Sequence, residues 1–235
     1  MIKEIGKMIQ QMRTDAKISQ KELGRGLLSI AELSRLESGE KEPDSFLLTA
    51  LIQRLGKSMD RFEMVVSNEE YKMILLRAFL QENMLKKDFM HVEELIEKYE
   101  NFSESKKIFH QQYVKMLRSV VGYLKNKDAE QCIFELEQSL EMTFLEEQQK
   151  DWKELCFYTQ ELQIMMLISY LQIVSGHFKE AVEKLNHLTT YIENKISYEE
   201  AKVRIYPKCC YLLAKAYVSL GELEKSYEIS GKGIT

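Results

Sequence analysis

Ser19-Gln20-Lys21-Glu22-Leu23-Gly24-Arg25-Gly26-Leu27-Leu28-Ser29-Ile30-Ala31-Glu32-Leu33-Ser34-Arg35-Leu36-Glu37-Ser38-Gly39 carries the same helix start signal twice. Ser19 with Glu22, and Ser29 with Glu32, each spell S-x-x-E. In that box a hydroxyl accepts a free backbone N–H of the first turn and the glutamate reaches back to the cap. Starts ten residues apart leave room for one short helix and a tight turn, and Gly26 suits the backbone of such a turn. The second helix runs to a glycine stop at Gly39. Leu23, Leu33 and Leu36 fall on an inner side; Ile30, Ala31, Ser34 and Arg35 fall outside. Two short helices in this relation read as a helix-turn-helix.

Outward from this stretch the pattern stays helical. Ile2, Ile5, Ile9 and Met12 recur at helical spacing and predict a first helix. Phe46, Leu47, Leu51, Ile52 and Leu55, entered after Pro43 and stopped at Gly56, predict a fourth, and Ser58 caps a fifth carrying Met59 and Phe62. Residues 1–65 therefore form a five-helix bundle. The remainder, 66–235, is a run of amphipathic helices with a loose internal period. Lys87-Asp88-Phe89, Lys127-Asp128-Ala129, Gly176-His177-Phe178 and Gly221-Glu222-Leu223 mark hairpin turns spaced by 40, 48 and 45 residues. Ala214-Lys215-Ala216-Tyr217-Val218-Ser219-Leu220-Gly221 is close to a tetratricopeptide pattern. The fold class is all-α, a helix-turn-helix bundle followed by a right-handed superhelix of tetratricopeptide-like α-hairpins. An irregular helical bundle is the plainer alternative. The run ends without a polar capping helix, so either the protein continues or a partner subunit covers that face.

Bulk properties agree. A chain of 235 residues with 2 Pro and 10 Gly favours long helices over a turn-rich β fold. Net charge is −4; residues 1–65 hold 11 basic against 10 acidic side chains, the rest 22 against 27. The contrast is mild. Cys132, Cys156, Cys209 and Cys210 lack C-x-x-C spacing and the four histidines are scattered, which predicts reduced thiols and no metal or other cofactor. No leader opens the chain, and the longest apolar run, Ile164 to Val174, is too short to span a bilayer, so a cytoplasmic protein is expected. No phosphate loop, H-E-x-x-H or G-x-S-x-G is present, and no enzyme is expected.

Gln20-x-Glu22-Leu23, Ser29, Leu33-Ser34-Arg35-x-Glu37-x-Gly39, Pro43 and Leu47/Leu48 resemble the Cro/C1 (XRE) type of helix-turn-helix. The ending Arg54-Leu55-Gly56-Lys57-Ser58-Met59-Asp60-x-Phe62 resembles the Rgg/PlcR-type regulators of Gram-positive bacteria, in which this domain precedes a tetratricopeptide-like domain that binds a short signalling peptide. The motifs cover residues 1–65; beyond that the likeness is one of architecture.

In a helix-turn-helix the second helix enters the major groove. That makes Ser29, Ile30, Ala31, Ser34 and Arg35 the candidate DNA face, with Gln20 at the first turn of the preceding helix; the XRE resemblance also places that glutamine on DNA. Ile30 and Ala31 can offer only apolar contacts, such as with thymine methyls. Lys17, Lys21, Arg25 and Lys41 are phosphate candidates. Arg35 has two readings, a phosphate contact or a pair with Glu22 or Glu32. The same resemblance implies an ion pair between Arg13 and Glu37 behind the groove-facing surface. On the hairpins, alignment on the turn glycines puts Gln163, Met166, Tyr170 and Ile173 on a concave face, followed by Lys208, Tyr211, Lys215 and Val218, with Arg77 and Gln81 near the start. Amides and cations among apolar walls suit an extended peptide and its carboxylate; core packing is the plainer reading of Met166, Tyr170 and Ile173. The acidic stretch Glu130 to Gln149 and the tyrosine-rich tail are candidate dimer faces, since palindrome readers bind as two-fold dimers. The expected function is a homodimeric, peptide-responsive transcriptional regulator; the competing one is a helical-repeat adaptor that binds a protein partner.

Overall fold

The computed structural model describes residues 2–59, 67–144, 155–197 and 199–233. All regular elements among them are helical. Four helices come first: α1 (Ile2–Asp15), α2 (Gln20–Gly24), α3 (Ile30–Glu37) and α4 (Ser45–Arg54). The fifth helix expected from Ser58 to Phe62 lies largely outside the described residues. Ile9, Leu23, Leu33, Leu36, Leu51 and Ile52 close the core of this bundle, each at most 1% exposed.

The caps explain where these helices begin. Ser29 and Glu32 form the complete reciprocal box at the start of α3. At α2 only half of it forms. The Ser19 hydroxyl accepts from the Glu22 amide, but the Glu22 side chain turns inward instead, to Arg25 and the Cys156 amide. Gly39 follows α3 in the left-handed region at φ 77°, so the helix stops where a residue without a Cβ ends it most cheaply.

Among the described residues nine further α-helices follow, with one 3-10 turn at Ser103–Lys106: α5 (Asn68–Lys86), α6 (Phe89–Glu100), α7 (Ile108–Asn126), α8 (Ala129–Glu141), α9 (Thr159–Val174), α10 (Phe178–Lys195), α11 (Glu199–Arg204), α12 (Tyr206–Ser219) and α13 (Leu223–Lys232). They pair as hairpins α5/α6, α7/α8, α9/α10 and α12/α13, stacked on one continuous core. The four turns fall at the positions marked in the sequence and share one device. Lys87, Lys127, Gly176 and Gly221 all take positive φ (60°, 61°, 84° and 79°), and Asp88, Asp128, His177 and Glu222 occupy the caps of the returning helices. Lysine does here what glycine does more cheaply.

Candidate nucleic-acid interface and ligand groove

α3 is amphipathic across its short axis. Leu33, Leu36 and Glu37 are buried, whereas Ile30, Ala31, Ser34 and Arg35 are exposed, Ile30 at 53%. Among the described residues no carboxylate pairs with Arg35; its partnership with Glu22 or Glu32 does not form. Glu32 instead caps α3 and meets Lys41 at 3.1 Å; the Ser29 backbone N–H, Lys41 and the Ser29 hydroxyl together pull its carboxyl down to about 2. Lys17 and Lys21 are exposed beside α2, and Lys17 sits in a left-handed turn.

Behind this face Arg13 Nε and Nη2 donate to Glu37 at 2.6 and 3.0 Å, a two-pronged pair of the geometry guanidinium and carboxylate favour. Gln20 Nε2 donates to the same carboxylate at 2.7 Å. Gln20 therefore braces the end of α3 while standing, half-buried, at the edge of the exposed face.

One phosphate candidate is corrected. Arg25 does not face solvent; its side chain is buried against the hairpin array. Nε donates to Glu22 (3.1 Å), Nη1 to the Thr143 carbonyl (2.8 Å) and Nη2 to the Cys156 carbonyl (2.7 Å), with the guanidinium over the rings of Phe144 and Phe157. Arg54, fully buried, donates to the carbonyls of Leu23 (3.0 Å) and Arg25 (2.6 Å) and to Glu161 Oε1 (2.7 Å). Thr143 Oγ1 also donates to Glu161 Oε1, and the Thr159 amide to Gln53. Burial is the largest single influence on the Arg54 pKa and lowers it, but the charge and hydrogen bond of Glu161, with Cys156 and Tyr158, together outweigh it and the net direction is up. Two glycines complete the contact. A Cβ on Gly26 would lie 2.4 Å from the Thr143 Cα, and one on Gly56 would lie 2.1 Å from the Lys195 carbonyl oxygen. The side of the bundle away from α3's exposed face is thus clamped to the hairpins by buried charge and backbone-close packing.

The groove residues divide. Arg77, Gln81 and Gln163 meet around one cavity of about 400 Å³. Met166 and the exposed Tyr170 continue along α9; Tyr123, with which Tyr170 shares a hydrogen bond, has its hydroxyl pKa raised, first by burial and then by that neighbour. Lys208, Tyr211, Lys215 and Val218 form an exposed stripe on α12. Ile173 is corrected: at 5% exposure it belongs to the core. Phe46, Thr49 and Gln53 were missed as cavity residues because they lie on α4, in the bundle rather than on the hairpins.

The fold and these surfaces define an all-α protein in which a helix-turn-helix bundle is fused to stacked hairpins. Residues 9–62 match the helix-turn-helix family model. The whole chain shares its fold with PlcR of Bacillus thuringiensis. Against PlcR in complex with the peptide PapR7 and DNA, the TM-score is 0.52 at 22% identity, over 98% of this chain and 80% of that one. Against PlcR in its apo form it is 0.51 at 21% identity, with the same coverage. No curated protein matches the chain. All four cysteines are free and buried, and among the described residues no helix is long and apolar enough to cross a membrane.

Proposed function

We propose that the chain is a sequence-specific DNA-binding transcriptional regulator of the Rgg/PlcR type. On this reading residues 1–65 read an operator and residues 66–235 sense a short signalling peptide. The observation that carries the reading is the outward face of α3: Ile30, Ala31, Ser34 and Arg35 stand uncovered while the opposite side of the bundle is anchored. A helix so presented fits the major groove, with Arg35, Lys17, Lys21 and Lys41 set for phosphates. PlcR, whose fold the chain shares, has been solved with a peptide and DNA bound.

Such a reader works as a two-fold dimer. Leu223 (66% exposed) and Tyr227 (86%), four residues apart on α13, make an uncovered apolar strip suited to a second copy. A peptide can act only through its differential affinity for two placements of the DNA-binding bundles. The test is selection of duplexes from a random library by the full-length protein. Enrichment of a palindrome with half-sites one helical turn apart is the expected result; recovery of unrelated sequences favours the adaptor.

A further inference from the structure

The cavity beside α4 has an unusual charge balance. Among the described residues Arg77 is its sole charged lining residue, and no carboxylate lines it. The guanidinium lies over the rings of Tyr113 (4.0 Å to the ring centre) and Phe46 (4.7 Å), which take part of its surface from water. Nε donates to the Tyr99 hydroxyl at 2.8 Å and Nη2 to His110 Nδ1 at 3.1 Å, while Nη1 makes no hydrogen bond among the described residues. His110 cannot neutralise it. Burial first, then the charges of Arg77 and Lys107, push that imidazole down to about 2, so it is neutral. Tyr113, 5% exposed and lining the same cavity, has a hydroxyl with no partner. A partly desolvated cation and an orphaned buried hydroxyl on one cavity of aromatic and amide groups both call for an acceptor carrying negative charge.

The larger cleft near α3, about 1040 Å³, lacks this property. Among the described residues Glu32, Glu42, Asp44, Glu69, Glu70 and Glu104 line it against only Lys41 and Lys107, so an anion is disfavoured there.

We infer that the Arg77 cavity is a carboxylate site for a small apolar acid, and that its occupant touches the DNA-binding bundle directly. One positive charge among aromatic and amide groups matches a monoanionic carboxylate. Phe46, Thr49 and Gln53 of α4 form one wall; Gln81 and Gln163 lie on the hairpin side. Occupancy is therefore linked to how α4 sits on α5 and α9 without any relay through the hairpins. The inference rests on the peptide-sensing reading for the natural source of the carboxylate, a peptide C-terminus; a free apolar acid is the other source of the same chemistry.

The experiment titrates the full-length protein with N-acetyl-Leu-Phe and with random short-peptide pools, each as free acid and as C-terminal amide. Calorimetry gives the affinity and the Arg77 Nε–H resonance reports the site. The free acids bind and shift that resonance, and amidation weakens binding by about tenfold or more. Arg77→Gln, and Thr49→Trp from the α4 side, each remove the preference for acid over amide. Equal binding of acid and amide to the unaltered protein overturns the inference even if both variants fail to fold, as does an absence of binding by every free acid. Peptides that bind regardless of Thr49→Trp but lose affinity in Tyr170→Ala overturn the cavity and leave peptide sensing standing. Binding of the N-acetyl-Leu-Phe free acid that survives Tyr170→Ala and is lost in Arg77→Gln supports the cavity whether or not any longer peptide binds.

Discussion

Arg54 Nη2 lies 2.7 Å from Glu161 Oε1, with both side chains wholly excluded from solvent, one on the last turn of α4 and the other on the first turn of α9. This contact joins residues 107 apart in sequence and ties the helix-turn-helix bundle to the hairpin that also carries Gln163, Met166 and Tyr170. Removing one partner leaves a buried charge uncompensated. Glu161→Gln and Arg54→Met should each lower unfolding stability by about 3–5 kcal/mol, whereas Arg54→Met with Glu161→Leu together should cost markedly less than the sum. Urea unfolding of the three variants checks this; additive losses contradict it.

Gly26 and Gly56 should tolerate no side chain. Both have positive φ, 66° and 70°, and both would drive a Cβ into the backbone of the hairpin array. Gly26→Ala or Gly56→Ala should therefore cost more than Gly176→Ala or Gly221→Ala, where φ is also positive but nothing lies within 4 Å. The second pair should lose only about 1 kcal/mol, the conformational penalty alone. Equal losses in all four, measured by thermal unfolding, would show that the bundle is not held against the hairpins.

The lysines at the first two hairpin turns offer the converse. Lys87 and Lys127 adopt φ of 60° and 61° with exposed side chains. Replacing either by glycine should raise stability by about 0.5–1 kcal/mol, less the extra freedom of the unfolded chain. A loss in both variants would contradict the left-handed caps.

His110 sets an acid limit. Its Nδ1 faces the Tyr99 hydroxyl at 2.5 Å and its Nε2 is buried without a partner, so the folded state holds the ring neutral down to about 2. The unfolded chain takes up a proton below pH about 6.5 and the folded one does not, so stability falls as pH drops through that value. The loss approaches about 1.4 kcal/mol per pH unit below it. Between pH about 6.5 and 5 the lowered carboxyls of Glu32 and Glu70 stay ionised in both states and contribute little. His110→Asn keeps an acceptor near Nδ1 and removes the titration; chemical unfolding across this window should be flatter in the variant than in the unaltered chain.

Much of this architecture was legible in local signals. The boxes at Ser19 and Ser29 place α2 and α3, Leu23, Leu33 and Leu36 face the core as their spacing implies, and the four turn triplets mark where each hairpin reverses. The buried polar contacts were not legible, for a physical reason. Arg25 stands in the turn after α2, Arg54 and Glu161 on helices, and each has a decisive partner far off in sequence, more than a hundred residues for the Arg25 carbonyl contacts and the Arg54–Glu161 pair. Nothing within a helical turn distinguishes a glutamate facing water from one facing a distant guanidinium. Ile173 went to the wrong side because α9 is apolar nearly all round, burying Leu162, Ile164, Met165, Ile168, Leu171 and Ile173 together. A helix buried on most sides gives a period but no phase. One clue to the clamp was available: Glu22 stands in a capping box whose glutamate is not needed once the serine has capped the helix.

The central claim is that the outer side of α3 meets a duplex. Fluorescence anisotropy of the fragment enriched by selection, titrated with the full-length protein at rising salt, tests it most directly. Affinity should fall steeply with log salt, by several counterions' worth, and exceed that for a scrambled fragment; Arg35→Ala should reduce the slope by about one, and Ala31→Glu should abolish the preference. Weak, salt-insensitive binding that is equal for both fragments and unchanged in Ala31→Glu would contradict the account.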